Sequence, residues 1–301
     1  MRFGVAPVSF LAAWQNPRGT DAAIATARGA RVVLGLLAGG ALAAVGVAFQ
    51  ALLRNPLGDP YALGVSGGAA LGATVAVLLG AGGMVVPLAA FAGAIGATVV
   101  VLLAARAAGR VGASSLLLAG LVFNACTGAA LAFLRTVTAS GRAQETLSLL
   151  LGVVTEEPPA RVATVALIVV VGFGMLLGLA KSMNLLTLGD DTAASLGVRV
   201  ERARVAIFLA ASLTVAAVVS VCGLIPFVGL IVPHYVRAWL GHDHRWTLPG
   251  SFLAGATLLV VADLAARMVF LGLGTEPPVG ALTALVGGPF FLMMLRALRD
   301  E

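Results

Sequence analysis

Long apolar runs separated by short polar knots recur along almost the whole chain. About nine of them approach the roughly 20 residues of helix needed to cross a hydrocarbon core. They lie near 32–51, 62–79, 84–104, 114–134, 162–180, 204–222, 225–240, 249–271 and 281–297. Apolar residues surround each run on every side, so the narrow stripe of a surface helix is not expected. The seventh run is short and holds Pro226 and Pro233, which predicts a kinked or tilted element. The largest polar intervals, 135–161 and 181–203, are too short to fold as a separate soluble domain. The pattern therefore predicts an all-α polytopic membrane protein, with residues 1–301 as one transmembrane domain.

The most informative knot falls in residues 50–70, QALLRNPLGDPYALGVSGGAA. It places Arg54, Asn55, Pro56, Asp59 and Pro60 between two apolar runs. Each proline removes a backbone donor and biases the residue before it away from helix, so one helix ends here and the next is delayed. Gly64, Gly68 and Gly72 follow at every fourth position, on one helix face. In lipid, where apolar side chains gain nothing by leaving the solvent, such small residues let two backbones pack closely.

Composition agrees with a bilayer. The chain is 60% hydrophobic and 11% charged, against roughly 25% charged in soluble domains, and Lys181 is its single lysine. With the 51–61 turn in the cytoplasm, the inside charges are Arg54, Arg106, Arg110, Lys181, Arg199, Arg202, Arg204, Arg237, Arg245, Arg296 and Arg299. Beyond residue 31 only Arg135, Arg142, Arg161 and Arg267 then lie outside, as the positive-inside rule favours. The net charge of +6 reads as topology and contact with anionic lipid. Its dispersal among the turns leaves no single patch for nucleic acid.

Five blocks in order then carry a resemblance. They are 54–69 (RNPLGDPYALGVSGGA), 188–198 (LGDDTAASLGV), 229–237 with 241–245 (GLIVPHYVR and GHDHR), 262–267 (ADLAAR) and 278–291 (PVGALTALVGGPFF). Together they resemble the FecCD-type permease subunits of ABC importers for iron chelates, haem and vitamin B12, over roughly residues 28–298. The resemblance implies the type II importer permease fold, usually of ten spans, in a bacterial cytoplasmic (inner) membrane with a cytoplasmic C-terminus. It implies as partners a second permease copy, two ATP-binding cassette subunits and a substrate-binding protein, periplasmic or a lipoprotein. No cofactor is implied.

Residues 1–31 depart from that pattern. Residues 3–14 are too short to span and are interrupted by Pro7, and the basic start is too thin for a signal peptide. The RGAR segment at 28–31 lacks the family's usual proline. The expectation is that the first family helix is missing from this chain; the alternative is a protein that does without it.

Chemistry-bearing residues are few. Lys181 precedes Ser182, but Ala180 stands where a phosphate-binding loop needs glycine, so ATP is expected on another chain. Cys126 and Cys222 fall inside spans and read as small packing residues. His242, Asp243 and His244 are a weak metal signal. With Arg54, Asn55 and Arg245 they read as cytoplasmic loop residues facing a partner, and no metal site is assigned. Asp263 and Arg267, at i and i+4 within a span, read as a structural ion pair between helices. Glu156 and Glu157 read as solvated charge.

Residues 181–203 form the most distinctive polar interval. Gly189 breaks the chain, Asp190 and Asp191 supply a cap and a negative first turn, and a short helix over 192–196 (Thr192, Ser195, Leu196) stops at Gly197. By resemblance this is the coupling segment that sits in a cleft of the ATPase subunit. Also by resemblance, two permeases surround a central route lined partly by the fourth span. That span opens on Gly112, Ala113, Ser114 and Ser115 and carries Asn124 and Thr127 midway, where an amide facing lipid would be costly. Docking of a binding protein would use Arg135, Arg142 or Arg161 beyond it. That region reads SLLLGVVTEEPPARV, without the tryptophan motif common in relatives.

The function expected is thus an importer permease working by alternating access, with ATP hydrolysed elsewhere. The alternative is an ion-coupled secondary transporter, which calls for acidic residues on broken helices. An enzyme in the membrane is disfavoured because no catalytic set converges.

Overall fold

The computed structural model describes residues 19–109, 111–137, 151–273 and 277–297. Among them are eleven α-helices: α1 (Thr20–Leu53), α2 (Val65–Leu78), α3 (Val85–Ala107), α4 (Ala113–Val137), α5 (Pro159–Gly178), α6 (Ala180–Leu186), α7 (Asp190–Ser195), α8 (Val200–Cys222), α9 (Val228–Leu240), α10 (His244–Leu273) and α11 (Val279–Ala297). A 3-10 turn, Pro60–Leu63, precedes α2. Six helices (α1, α3, α4, α5, α8 and α10) are long and apolar enough to cross a membrane.

The ends of the bundle are fixed by contacts between loops. At one end the end of α1 meets the end of α6 and the start of α7, through Arg54 with Leu186 and Asp190, while α6 meets the start of α10 through Asn184 and His244. At the other, Val153 donates to the Cys222 carbonyl and Gly280 to that of Gly152. Between these ends the described residues make nine passes. The short helices α2 and α9 complete theirs with non-helical lead-ins, residues 54–64 and 223–227.

α1 forms the axis, buried continuously from Ala38 to Leu53. Its GGALAAVG stretch makes this possible, because small residues let neighbouring backbones come near. A Cβ on Gly39 would overlap the Gly255 carbonyl of α10, and one on Gly46 would overlap the Gly229 carbonyl of α9. Gly68 and Gly72 pack against Gly93 and Ala89 of α3 in the same way, as their spacing predicts. Gly64 does not share that face. It takes φ +88° as the joint between the 3-10 turn and α2, a conformation open to glycine without a steric penalty.

The sequence places the first span too late. α1 begins at Thr20 instead of near 32, running through Arg28 and Arg31, both buried. Arg31 can stay inside the helix because Asp263 of α10 takes its guanidinium in two hydrogen bonds, at 2.9 and 3.3 Å. Asp263 also pairs with Arg267 at 2.9 Å, so the predicted pair is one arm of an ion cluster joining α1 to α10. Of the N-terminal segment 1–31, residues 1–18 lie outside the described residues.

Candidate functional site

The polar knot after α1 builds the centre of the site. Arg54 adopts a left-handed conformation, φ 49°, and its N–H and that of Asn55 close the helix on Ala51 and Gln50. Asn55 Oδ1 then accepts from Leu57 N at 2.9 Å, and Asp59 Oδ1 from Tyr61 N at 2.8 Å, so each polar residue caps the turn that follows it. This geometry aims the Arg54 side chain away from its own helix. Its Nε donates to the Leu186 carbonyl at 2.7 Å and its guanidinium pairs with Asp190. Burial, and then the nearby Arg204 charge, hold Arg54 below the usual arginine range.

Asp190 is also bound by Arg204 Nη2 at 2.5 Å. The Arg204 side chain is only 6% exposed, and its Nη1 reaches the Val111 carbonyl at 3.5 Å. α7 is therefore anchored from beneath by Asp190 and by buried Ala193. Its other side is open: Asp191, Thr192, Ser195 and Leu196 are exposed, as is Leu188 just before it. Gly189 (φ 119°) and Gly197 (φ 86°) bound it as the sequence predicts. Asp190 differs from expectation. Its carboxylate, 43% exposed, pairs with Arg54 and Arg204 of the same chain and makes no cap hydrogen bond to α7.

The GHDHR loop is tied down beside this centre. Asp243 Oδ1 accepts from Asn184 Nδ2 at 2.7 Å and Arg245 N at 3.0 Å, and these two bonds hold its carboxyl below the usual range. Asn184 Oδ1 in turn takes His244 N at 2.9 Å. His244 is buried, which corrects the picture of a wholly solvated loop, while His242 and Arg245 are exposed. Trp239 and Trp246 flank the loop and are largely exposed, as amphipathic rings are at a membrane interface.

In both broken passes side chains take up several of the freed backbone groups. Pro233 lacks an N–H, which orphans the Gly229 carbonyl one turn earlier. Gln50 Nε2 fills that place, reaching the carbonyls of Gly229 (3.4 Å) and Leu230 (3.3 Å), and Arg237 donates to Gln50 Oε1. Tyr61 Oη accepts from Ile225 N at 2.9 Å and donates to Ile225 O at 3.1 Å, joining the two unwound segments. Asn124 Nδ2 donates to the Tyr61 carbonyl at 2.9 Å.

The predicted route residues therefore divide. Gly112, Ala113, Ser114 and Ser115 line an open cleft of about 560 Å³ with Arg54, Asp190 and Arg204. Ser115 Oγ accepts from Gly112 N at 2.9 Å and donates to its carbonyl at 3.0 Å, capping α4. Asn124 and Thr127 instead pack against Gly67 of α2 within the chain, so neither lines that cleft. Leu118, Leu121, Val122 and Phe133 form the exposed surface of α4. Of the outer arginines, Arg161 is paired with Glu157 at 2.6 Å, both side chains under a fifth exposed, which corrects the reading of each as a free charge. Arg142 and the Arg135 side chain lie outside the described residues.

Sequence reasoning missed Gln50, Asn184 and the pairing of Arg204 as members of this site. Gln50 and Arg204 are strongly polar residues within apolar helices, and that contrast is the signal available for both.

Nine helical passes around a small-residue axis, two of them unwound and bonded to each other, define a polytopic membrane permease. The pattern of the FecCD transport family matches residues 1–297, and the chain belongs to that family. It is 42% identical over 281 residues to the cobalamin import system permease protein BtuC of Halobacterium salinarum, covering 93% of this chain and 75% of that one. It is 35% identical over 279 residues to the hemin transport system permease protein HmuU of Yersinia pestis, covering 90% and 82%. A solved metal-chelate type ABC transporter, in an inward-facing conformation, superposes with a TM-score of 0.86 at 27% identity over 98% of this chain and 92% of that one. The chain is thus the membrane-spanning subunit of an ABC importer, working with ATPase and binding-protein partners.

Proposed function

We propose that this permease imports a bulky metal complex (an iron chelate, haem or cobalamin) as one of two permease copies on a pair of ATPase subunits. A cobalamin permease, a hemin permease and a metal-chelate transporter among the similar proteins support that substrate class. The Arg54 end, with the C-terminus, faces the cytoplasm, and the membrane is the bacterial inner membrane. The basic residues of the 51–61, 181–203 and 241–245 turns gather at that end, in keeping with the positive-inside rule. The observation that carries the reading is α7, a short helix with one side anchored by Asp190 and Ala193 and the other exposed at that same end. The carbonyls of Tyr61 and Ile225, and the Gly229 carbonyl that Pro233 leaves free, are taken up by side-chain donors, which weighs against ion coupling at the broken helices.

The chain, co-expressed with its ATPase and binding protein and reconstituted in vesicles, is expected to take up cyanocobalamin, haemin or a ferric chelate with ATP. Vanadate stops the uptake. Uptake of any of the three driven by a proton or sodium gradient without the ATPase would overturn the reading.

Variants of α7 test its docking role. A Cβ at Gly197 meets nothing within 4 Å, so Gly197→Val acts only through its positive φ, a local cost of about 1–3 kcal/mol. Gly197→Val and Leu196→Asp are expected to reduce ATPase co-purification and uptake together, with expression near normal. Normal uptake in both would remove α7 from the coupling route.

A further inference from the structure

We propose that the Asp190 carboxylate is the joint through which movement of α7 is passed to α1, α8 and the start of α4. The proposal rests on the importer reading. α7 meets the adjoining backbone through Gly189 and Gly197, both at positive φ, and buries only Ala193 of its own residues. A displacement of so short a helix would dissipate in those glycines unless a firm contact carried it. Asp190 supplies that contact, because both of its arginines are themselves held.

Arg54 is fixed at its backbone by the cap of α1 and at its Nε by the Leu186 carbonyl. Arg204 is buried in the first turns of α8, with its second nitrogen toward the carbonyl of Val111. Val111 adjoins Gly112, whose amide and carbonyl are both bonded to Ser115. One carboxylate thus touches the end of one pass and the beginning of another, and leads to the start of a third. The same cleft holds Ser114, exposed at the first turn of α4, so motion arriving there changes the opening of the bundle at this end.

The test uses the whole importer, with its ATPase, in a Cys126→Ser background carrying Ser114→Cys; Cys222 is buried and silent. Maleimide labelling at position 114 is timed without nucleotide and with ATP and vanadate. With Asp190 intact the labelling rate is expected to change on the order of fivefold or more between the two states. Asp190→Asn removes the change while the ATPase still co-purifies and hydrolyses ATP, and Asp190→Glu restores it. Arg54→Gln, which keeps the Asp190–Arg204 pair, reduces the change and decides the matter if Asp190→Asn does not fold.

A nucleotide-dependent change that persists in Asp190→Asn, or in Arg54→Gln where Asp190→Asn does not fold, would overturn the proposal. So would loss of the ATPase from a folded Asp190→Asn, which would make Asp190 a docking residue. Failure of the chain with Asp190 intact to hold any ATPase would overturn the importer reading itself, and the proposal with it.

Discussion

Asp263→Ala is expected to abolish recovery of folded, monodisperse protein. Asp263 is the shared acid of Arg31 and Arg267, and the three side chains are 7%, 10% and 18% exposed. Removing it takes from two mostly buried guanidinium groups the carboxylate they share. Breaking a buried ion cluster in this way costs about 3–5 kcal/mol, a large part of a total stability on the order of 5–15 kcal/mol. Size-exclusion yield and melting temperature in detergent measure the loss. Replacing all three together, Arg31→Met, Asp263→Leu and Arg267→Met, is expected to recover most of the yield, since the charges of the cluster are then removed together. If the single variant were as stable as the parent, the cluster would contribute nothing to holding α1 on α10.

Gly46→Val is expected to have an effect of similar size by a different route. A Cβ at this position overlaps backbone atoms of Gly229, which cannot rotate away as a side chain would. α1 and α9 must separate, and the Gln50 bonds to the Gly229 and Leu230 carbonyls lengthen with them. Overpacking of this kind costs about 1–3 kcal/mol and more where backbone is involved. The melting temperature should fall well below that of Gly174→Ala. At Gly174 an added Cβ meets nothing within 4 Å, so alanine there is neutral or stabilising by up to about 1 kcal/mol. Equal melting temperatures for the two variants would show that the crossing of α1 and α9 is looser than its geometry indicates.

The contrast between these positions marks the limit of reading along the chain. Gly46 and Gly174 are both glycines in apolar helices, and the small-residue stretch before Gly46 does not by itself say which backbone crosses there. What differs is the helix that crosses each, and crossing partners are chosen by the whole bundle. Asp190 shows the same limit. Its place in the first turn of a short helix between two glycines was legible, as was the positive φ of Gly197. That its carboxylate faces inward to Arg54 and Arg204 was not, since those residues come from the ends of two other helices.

By itself the sequence determined the all-helical membrane class, nine passes with boundaries mostly within a few residues, the break before α2, and the family blocks that place α7. Hydrophobic runs of spanning length and prolines act locally, so they can be read one segment at a time. Only the tertiary structure decided where charge lies inside. Arg31 sits within a helix that was expected to start after it, because Asp263 is there to receive it. His244 is buried, Arg161 is paired, and Asn124 is bonded to the Tyr61 carbonyl ahead of α2. In a bilayer a polar group must find its partner within the protein. Helices distant in sequence supply most of those partners, so the pairing is settled by how the helices pack.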